Sequence, residues 1–172
     1  MKTESSAVEI RPFSDGDLSA LQERMPSSHH AYRAEAHETG AASFLLAWMD
    51  AEPVGYLLLK WAGADEDVVH QLIGDCPELN AITVAPKLRS RGIGTTLIQE
   101  AERRVSAQAI TRIGLAVGLD NLRALSLYER LGYRAWEHGS FEVSWDAPDH
   151  PAGRESESCI YLLKPLAAEP GH

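Results

Sequence analysis

The densest concentration of chemistry in the chain is the run Val84-Ala85-Pro86-Lys87-Leu88-Arg89-Ser90-Arg91-Gly92-Ile93-Gly94-Thr95. A strand pattern stops at Pro86, a short turn follows, and a helical pattern opens near Gly92. The first turn of a helix carries N–H groups with no partner inside the helix and a partial positive charge, so it accepts a phosphate or pyrophosphate. Gly92 and Gly94 have no Cβ, which lets ligand oxygens approach the backbone closely. Arg89 and Arg91, on either side of Ser90, add charge-assisted contacts, and Thr95 adds a hydroxyl. Two rival phosphate motifs do not fit. No Gly-Lys-Ser/Thr sequence occurs, and Leu97 stands where a dinucleotide fingerprint needs its third glycine. A lone Gly-x-Gly also suits a plain strand-to-helix turn with solvated arginines; here the arginines and the preceding strand favour the anion-binding reading.

Other residue types narrow the chemistry. The formal net charge of -9 excludes a general nucleic-acid binder, which needs an excess of Lys and Arg. The same charge is compatible with a cationic substrate. Cys76 and Cys159 form no Cys-x-x-Cys pair and no zinc spacing, so they read as reduced thiols. His29, His30 and His37 read as partly exposed helix residues, and no metal site is expected. The acidic stretch Asp65-Glu66-Asp67 reads as solvated surface or as the mouth of a site for a cationic amine. Met1 to Ile10 has no apolar stretch of signal-peptide length, and no apolar run approaches the ~20 residues of a membrane helix, so a cytoplasmic protein without a membrane partner is expected.

The elements that must position these residues follow from periodicity. Val8 to Pro12 alternates as a half-buried strand, and Ser14 or Asp15 is expected to cap a helix through Leu18 and Leu21. A second helix is expected to about Glu38, closed by Gly40. Ser43 to Met49 and Pro53 to Trp61 read as an antiparallel hairpin, and Gly63 to Asp75 as a loop with at most one helical turn. Glu78 to Val84 is a strand, Gly92 to Ala107 a helix, and Arg112 to Val117 a strand. Asn121 caps a helix expected to turn Leu122, Leu125, Tyr128 and Leu131 inward, ended by Gly132. Tyr133 to Trp145 is extended with a bend at Gly139, Asp146 to Ser156 a polar loop, Ser158 to Leu163 a last strand, and the chain from Pro165 a frayed tail. This order implies one α/β domain over 1–172, with its core at about 8–165, a tail over 166–172, and a mixed sheet with helices on both faces.

At two places the chain resembles the GNAT N-acetyltransferase superfamily. Val84-Ala85-Pro86 and Arg89-Ser90-Arg91-Gly92-Ile93-Gly94 match the family's Val-x-Pro strand end and its Arg/Gln-x-x-Gly-x-Gly/Ala turn. Asn121-Leu122-Arg123-Ala124-Leu125-Ser126-Leu127-Tyr128-Glu129-Arg130-Leu131-Gly132-Tyr133 matches its Asn-x-x-Ala-x-x-Leu-Tyr-x-x-x-Gly-Phe signature, with Tyr133 in place of Phe. Without the first motif, the second reads as an ordinary capped amphipathic helix. The resemblance implies the GNAT fold: a mixed, mostly antiparallel twisted sheet of six to seven strands flanked by about four helices. It implies acetyl-CoA as co-substrate, with Arg89, Ser90, Arg91, Gly92, Ile93, Gly94 and Thr95 on the pyrophosphate and the strand residues Ile82, Thr83 and Val84 along the pantetheine arm. Asn121 would bond the pantetheine region and Tyr128 would sit near the sulfur as general acid. Glu78 is the implied general base, and the N–H of Val84 or a neighbour the oxyanion donor. The expected reaction is direct acetyl transfer to a primary amine, the acceptor being a small molecule, with a protein N-terminus, a lysine or a non-catalytic acyl-CoA sensor as alternatives. Dimers are common in the family, and an exposed edge strand could pair two copies into a homodimer.

Overall fold

In the computed structural model, residues 6–168 are described. Strand-length apolar and alternating runs build a seven-stranded sheet: β1 (Glu9–Pro12), β2 (Ala42–Met49), β3 (Glu52–Lys60), β4 (Glu78–Val84), β5 (Arg112–Gly118), β6 (Arg134–Asp146) and β7 (Arg154–Pro165). Their spatial order is β1-β2-β3-β4-β5-β7-β6. Every neighbouring pair is antiparallel except β4 with β5. That parallel pair needs a crossover, and α4 (Ile93–Ala107) supplies it.

Alternate residues of each strand point to opposite faces. Leu45, Leu57, Leu59, Leu79, Ile113, Leu115, Val117 and Leu162 share one core with Leu97, Ile98, Ala101 and Val105 of α4. On the opposite face Phe44, Leu46, Tyr56 and Leu58 pack against Leu21 of α1 (Asp17–Arg24) and Ala34 of α2 (His30–Glu38). Further along that face, Val69 of α3 (Asp67–Ile73) packs with Trp136 and Tyr161. Gly55 on β3 lets α4 come close: a Cβ there would lie 3.1 Å from the Thr83 carbonyl and 3.2 Å from Leu97. Among the described residues no helix is long and apolar enough to cross a membrane.

Several local expectations need correction. Neither Ser14 nor Asp15 caps α1; Gly16 stands at the N-cap, and Asp17 accepts the Ser14 N–H (2.8 Å) and two bonds from Arg11. The segment expected as a loop contains α3, because Val69 finds an apolar seat against β6 and β7 that no local pattern announces. His30 is fully buried, with Nε2 at 2.6 Å from the Met25 carbonyl and its ring against Tyr56, and burial lowers its pKa. The last strand begins at Arg154, not Ser158, since β6 pairs with it from Asp146 onward. That pairing shortens the polar loop. Pro165 belongs to β7, and Leu166 donates to the Thr111 carbonyl (2.7 Å), so fraying does not begin at Pro165. The remaining expected tail, 169–172, lies outside the described residues.

Candidate active site

The strand pair β4–β5 makes the central opening. Only Glu78↔Gly114 and Leu79↔Leu115 are paired; beyond them the two parallel strands separate. On its other side β4 stays with β3 but bulges: Tyr56 faces Thr83, while Leu58 faces Asn80. Ala81, inside the bulge, is held at φ 54. A non-glycine residue in that region stores strain, and such strain concentrates at working sites. Val84 faces Gly55, and the next N–H, of Ala85, donates to the Val54 carbonyl (2.9 Å). In an antiparallel ladder this phase turns the N–H and C=O of Val84 away from β3, toward the opening. Ile82, Thr83 and Val84 are half-buried along it.

At the wide end of the opening stands the mouth of α4. A 3₁₀ turn over Pro86–Leu88 leads out of β4. Ser90 and Gly92 then adopt left-handed φ values of 64 and 83. Gly92 is the N-cap, and no side chain caps the helix. The first helical bond is Thr96 N–H to the Gly92 carbonyl (3.0 Å), so the amides of Ile93, Gly94 and Thr95 precede the helical ladder. Ile93 is buried in the core, which leaves its backbone as the part that can meet a ligand. A Cβ on Gly92 would meet nothing within 4 Å, and one on Gly94 only Val84 at 3.6 Å. The protein's own packing therefore does not demand glycine at Gly94, whereas a ligand pressed against the amides would. Arg91 is exposed; Arg89 is exposed too and bonds the Val84 carbonyl through Nε (3.3 Å). The donor set of free amides, two guanidinium groups and the Thr95 hydroxyl fits a pyrophosphate.

The second motif lies against the first. α5 (Leu122–Arg130) is capped by Asn121, whose Oδ1 accepts the Ala124 N–H (3.2 Å). Its Nδ2 has no partner among the described residues, so it is available as a donor. Arg123, in the first turn of α5, donates to the Ser90 hydroxyl and ties the two motifs together. Tyr128 is half-buried, edge-on to Tyr133 at 6.1 Å, and burial raises its pKa. Leu125 and Leu131 pack on the α4 core as expected, but Leu122 is 72% exposed. It sits at the first helical position, where the turn aims it outward.

Glu78, at the closed end of the opening, is 2% exposed. Leu79 belongs to the α4 core, so Glu78 points to the opposite face. Its Oε1 accepts a long bond from Asn80 (3.5 Å), and its Oε2 has no partner. Burial pushes its pKa up to about 7; Lys60 pulls against that shift, Glu66 adds to it, and Asn80 and Tyr161 oppose it. Lys60 itself is paired with Asp65 at 2.5 Å. Cys76 and Cys159 are buried, and burial first of all pushes their thiols up to about 11 and about 12. Neither is a ready nucleophile at neutral pH. Among the described residues no cluster of His, Cys, Asp or Glu is arranged to hold a metal ion.

This arrangement matches a known family. The acetyltransferase (GNAT) family aligns with residues 10–133. The chain belongs to the GNAT acetyltransferase family. Its sheet and flanking helices superimpose on those of other GNAT structures. Naa20 of Chaetomium thermophilum, in complex with a bisubstrate analogue, has a TM-score of 0.67 at 21% identity over 95% of this chain and 94% of that one. The PaiA N-acetyltransferase of Thermoplasma acidophilum, in complex with coenzyme A, has 0.63 at 19% identity over 93% and 99%. These likenesses speak for the fold. A mycothiol acetyltransferase of Kocuria rhizophila is 31% identical over 96 residues, which is 54% of this chain and 30% of that protein. The matched segment spans between 28% and 43% of the curated relatives' length.

The helix opening near Gly92 and the helix capped by Asn121 follow β4 and β5 in the order expected from the sequence. The surroundings of Glu78, namely Lys60, Asn80, Gly114 and Tyr161, were not expected from it. Gly114 left one signal, a lone glycine inside an apolar strand pattern, which often marks a close approach.

Proposed function

We propose that this GNAT protein transfers the acetyl group of acetyl-CoA to a primary amine by direct attack in a ternary complex. The observation that carries the reading is the uncapped mouth of α4 standing at the wide end of the β4–β5 opening. Its amides, with Arg89, Arg91, Ser90 and Thr95, would hold the pyrophosphate. The backbone of Ile82, Thr83 and Val84 and the Asn121 Nδ2 would hold the pantetheine arm. When bound, acetyl-CoA supplies an activated acetyl thioester.

The chain's own groups then have distinct tasks. An amine with an ordinary pKa of about 10.4 arrives as an ammonium and must lose a proton. Glu78, with its pKa near neutrality, takes that proton; its burial favours a relay through water. The N–H of Val84 stabilises negative charge on the carbonyl oxygen as it develops. Tyr128, kept protonated by burial, gives its phenolic proton to the departing thiolate. A covalent acetyl-cysteine route is disfavoured by the raised pKa values of both thiols.

A small cationic acceptor suits the face toward which the buried Glu78 points. Glu157 lies over Gly118 of β5, where a Cβ would stand 2.6 Å from its Oε2. Glu66 is close enough to act on Glu78, Cys159 and Tyr161. The relatives named mycothiol acetyltransferase also favour a small-molecule acceptor over a protein one. The free edge of β6 could pair two copies, a point that light scattering on the purified protein decides.

Titration calorimetry with acetyl-CoA and a thiol-release assay with a panel of amines test the reading together. Binding with release for at least one small amine is expected. Binding without release for any small amine, peptide N-terminus or lysine would make the protein an acyl-CoA sensor. Absence of binding would remove the proposal.

A further inference from the structure

Two buried oxygens near the closed end of the β4–β5 opening meet no partner at full hydrogen-bond geometry among the described residues, Glu78 Oε2 and the Tyr161 hydroxyl, yet the two groups are near enough to influence each other's ionisation. An unsatisfied buried polar group costs on the order of 1–3 kcal/mol, so two of them in one place need a reason. Gly114 supplies the geometry. It is the β5 residue opposite Glu78, and a Cβ on it would stand 2.4 Å from the Tyr161 ring and 2.6 Å from its hydroxyl. Tyr161 comes from β7, on the far side of β5, where its direct partner is Ala116. Its ring therefore leans across β5 at Gly114, which has no side chain, toward β4. Trp136 and Phe141 hold the other side of that ring at 5.4 Å and 6.4 Å. Tyr161 is fully buried, so nothing about solvation explains a hydroxyl delivered to this point.

We infer that Tyr161 is a positioning residue for Glu78, its hydroxyl laid over Gly114 to donate to the free carboxylate oxygen, directly or through one water. The inference rests on the reading of Glu78 as the base. Donation to the charged form opposes the burial that would otherwise keep Glu78 protonated. It also fixes the carboxylate's orientation on the acceptor face. The hydroxyl keeps its own proton, because burial and the neighbouring carboxylates Glu78 and Glu66 raise its pKa. The other groups facing Glu78 are Lys60 from β3, Asn80 on its own strand, Glu66 ahead of α3 and Cys76 before β4. Lys60 is the one cation among them, and it is shared with Asp65.

The test reads Glu78 itself, without an acceptor. In carbon-13-labelled protein the Glu78 carboxyl resonance, assigned by its loss in Glu78→Gln, is titrated by NMR. Tyr161→Phe keeps the ring packed on Trp136 and Phe141 and removes only the donor. It is expected to move the Glu78 midpoint upward by about 0.5 unit or more, roughly a threefold change in proton affinity. Gly114→Ala, which displaces the ring, should move it in the same direction. A midpoint unchanged or lowered in Tyr161→Phe overturns the inference. Failure of the base reading looks different: Glu78→Gln would then turn over acceptor normally, whatever the NMR titration shows.

Discussion

The ionisation of Glu78 couples folding to pH. Its folded-state pKa of about 7 lies above the ordinary 4.5. Below the lower value the carboxyl is protonated in both folded and unfolded chains, and its ionisation contributes nothing to stability. Between the two values the unfolded chain releases a proton that the folded one retains, so stability falls as pH rises. Above about 7 the full cost, on the order of 3 kcal/mol, is present. Glu78→Gln has no such titration. Urea denaturation should show the variant gaining on the parent as pH climbs through this window and levelling off above it. A difference independent of pH would mean that Glu78 is not held in this state. The same substitution should lower kcat at neutral pH by about 10²–10⁴-fold, as removal of a general base does. Tyr128 makes a separate prediction. Its hydroxyl has no partner among the described residues, so Tyr128→Phe should leave acetyl-CoA affinity within about twofold while kcat falls about tenfold or more. Calorimetry and steady-state kinetics on the same preparation separate the two effects, and an unchanged kcat leaves Tyr128 a packing residue beside Tyr133.

The elements gather the unpaired amide donors at one helix end. α4 is amphipathic and long, and its apolar side is anchored by Leu97, Ile98, Ala101 and Val105 against the sheet. A helix fixed that firmly presents its N-terminal amides as a rigid array, and rigid donors bind charge at little further entropic cost. The left-handed backbone at Gly92, the N-cap, sets the direction in which the chain enters that array. Gly92→Ala places a Cβ in free space but in a conformation L-residues resist, at roughly 1–2 kcal/mol. Relief of that strain rotates the first-turn amides. The variant should lose about that much stability in denaturant and bind acetyl-CoA roughly tenfold more weakly by calorimetry. Normal affinity in a destabilised variant would detach the amides from ligand binding.

Across the molecule, charge is divided between the two sides of the opening. The chain is acidic overall, with a net charge of -9, yet the turn that faces the α4 mouth carries Arg89 and Arg91, both exposed. The opposite face of the sheet bears Glu66, Glu78 and Glu157. An anionic carrier would thus be drawn to one side of the opening and a cationic acceptor to the other. Exposed contacts are screened within a Debye length of about 8 Å at physiological salt. Raising salt from about 0.05 M to about 0.5 M should therefore weaken acetyl-CoA binding and raise KM more for an amine with a second positive charge than for one with a neutral tail. Equal salt responses for both kinds of amine would count against the acidic face as the acceptor side.

The local features of this protein were legible in its sequence because they depend on near neighbours. The strand from Glu78 to Val84, the helix opened by Gly92 and closed near Ala107, and the Asn121 cap all follow from spacing, a glycine and a capping side chain. The hairpin of β2 and β3 follows from two apolar runs and a short turn at Asp50 and Ala51. Burial and strand separation were not legible, because they are set by partners far away along the chain. Leu122 obeys the helical period yet faces outward, and His30 looks polar yet is sealed between Phe44 and Tyr56. The separation of β4 from β5 after Leu79, and the Tyr161 ring lying across Gly114 toward Glu78, arise only when three strands from distant stretches are brought side by side. A residue's type and spacing state what it can donate or accept; the solvent it loses and the group it meets are properties of the assembled sheet.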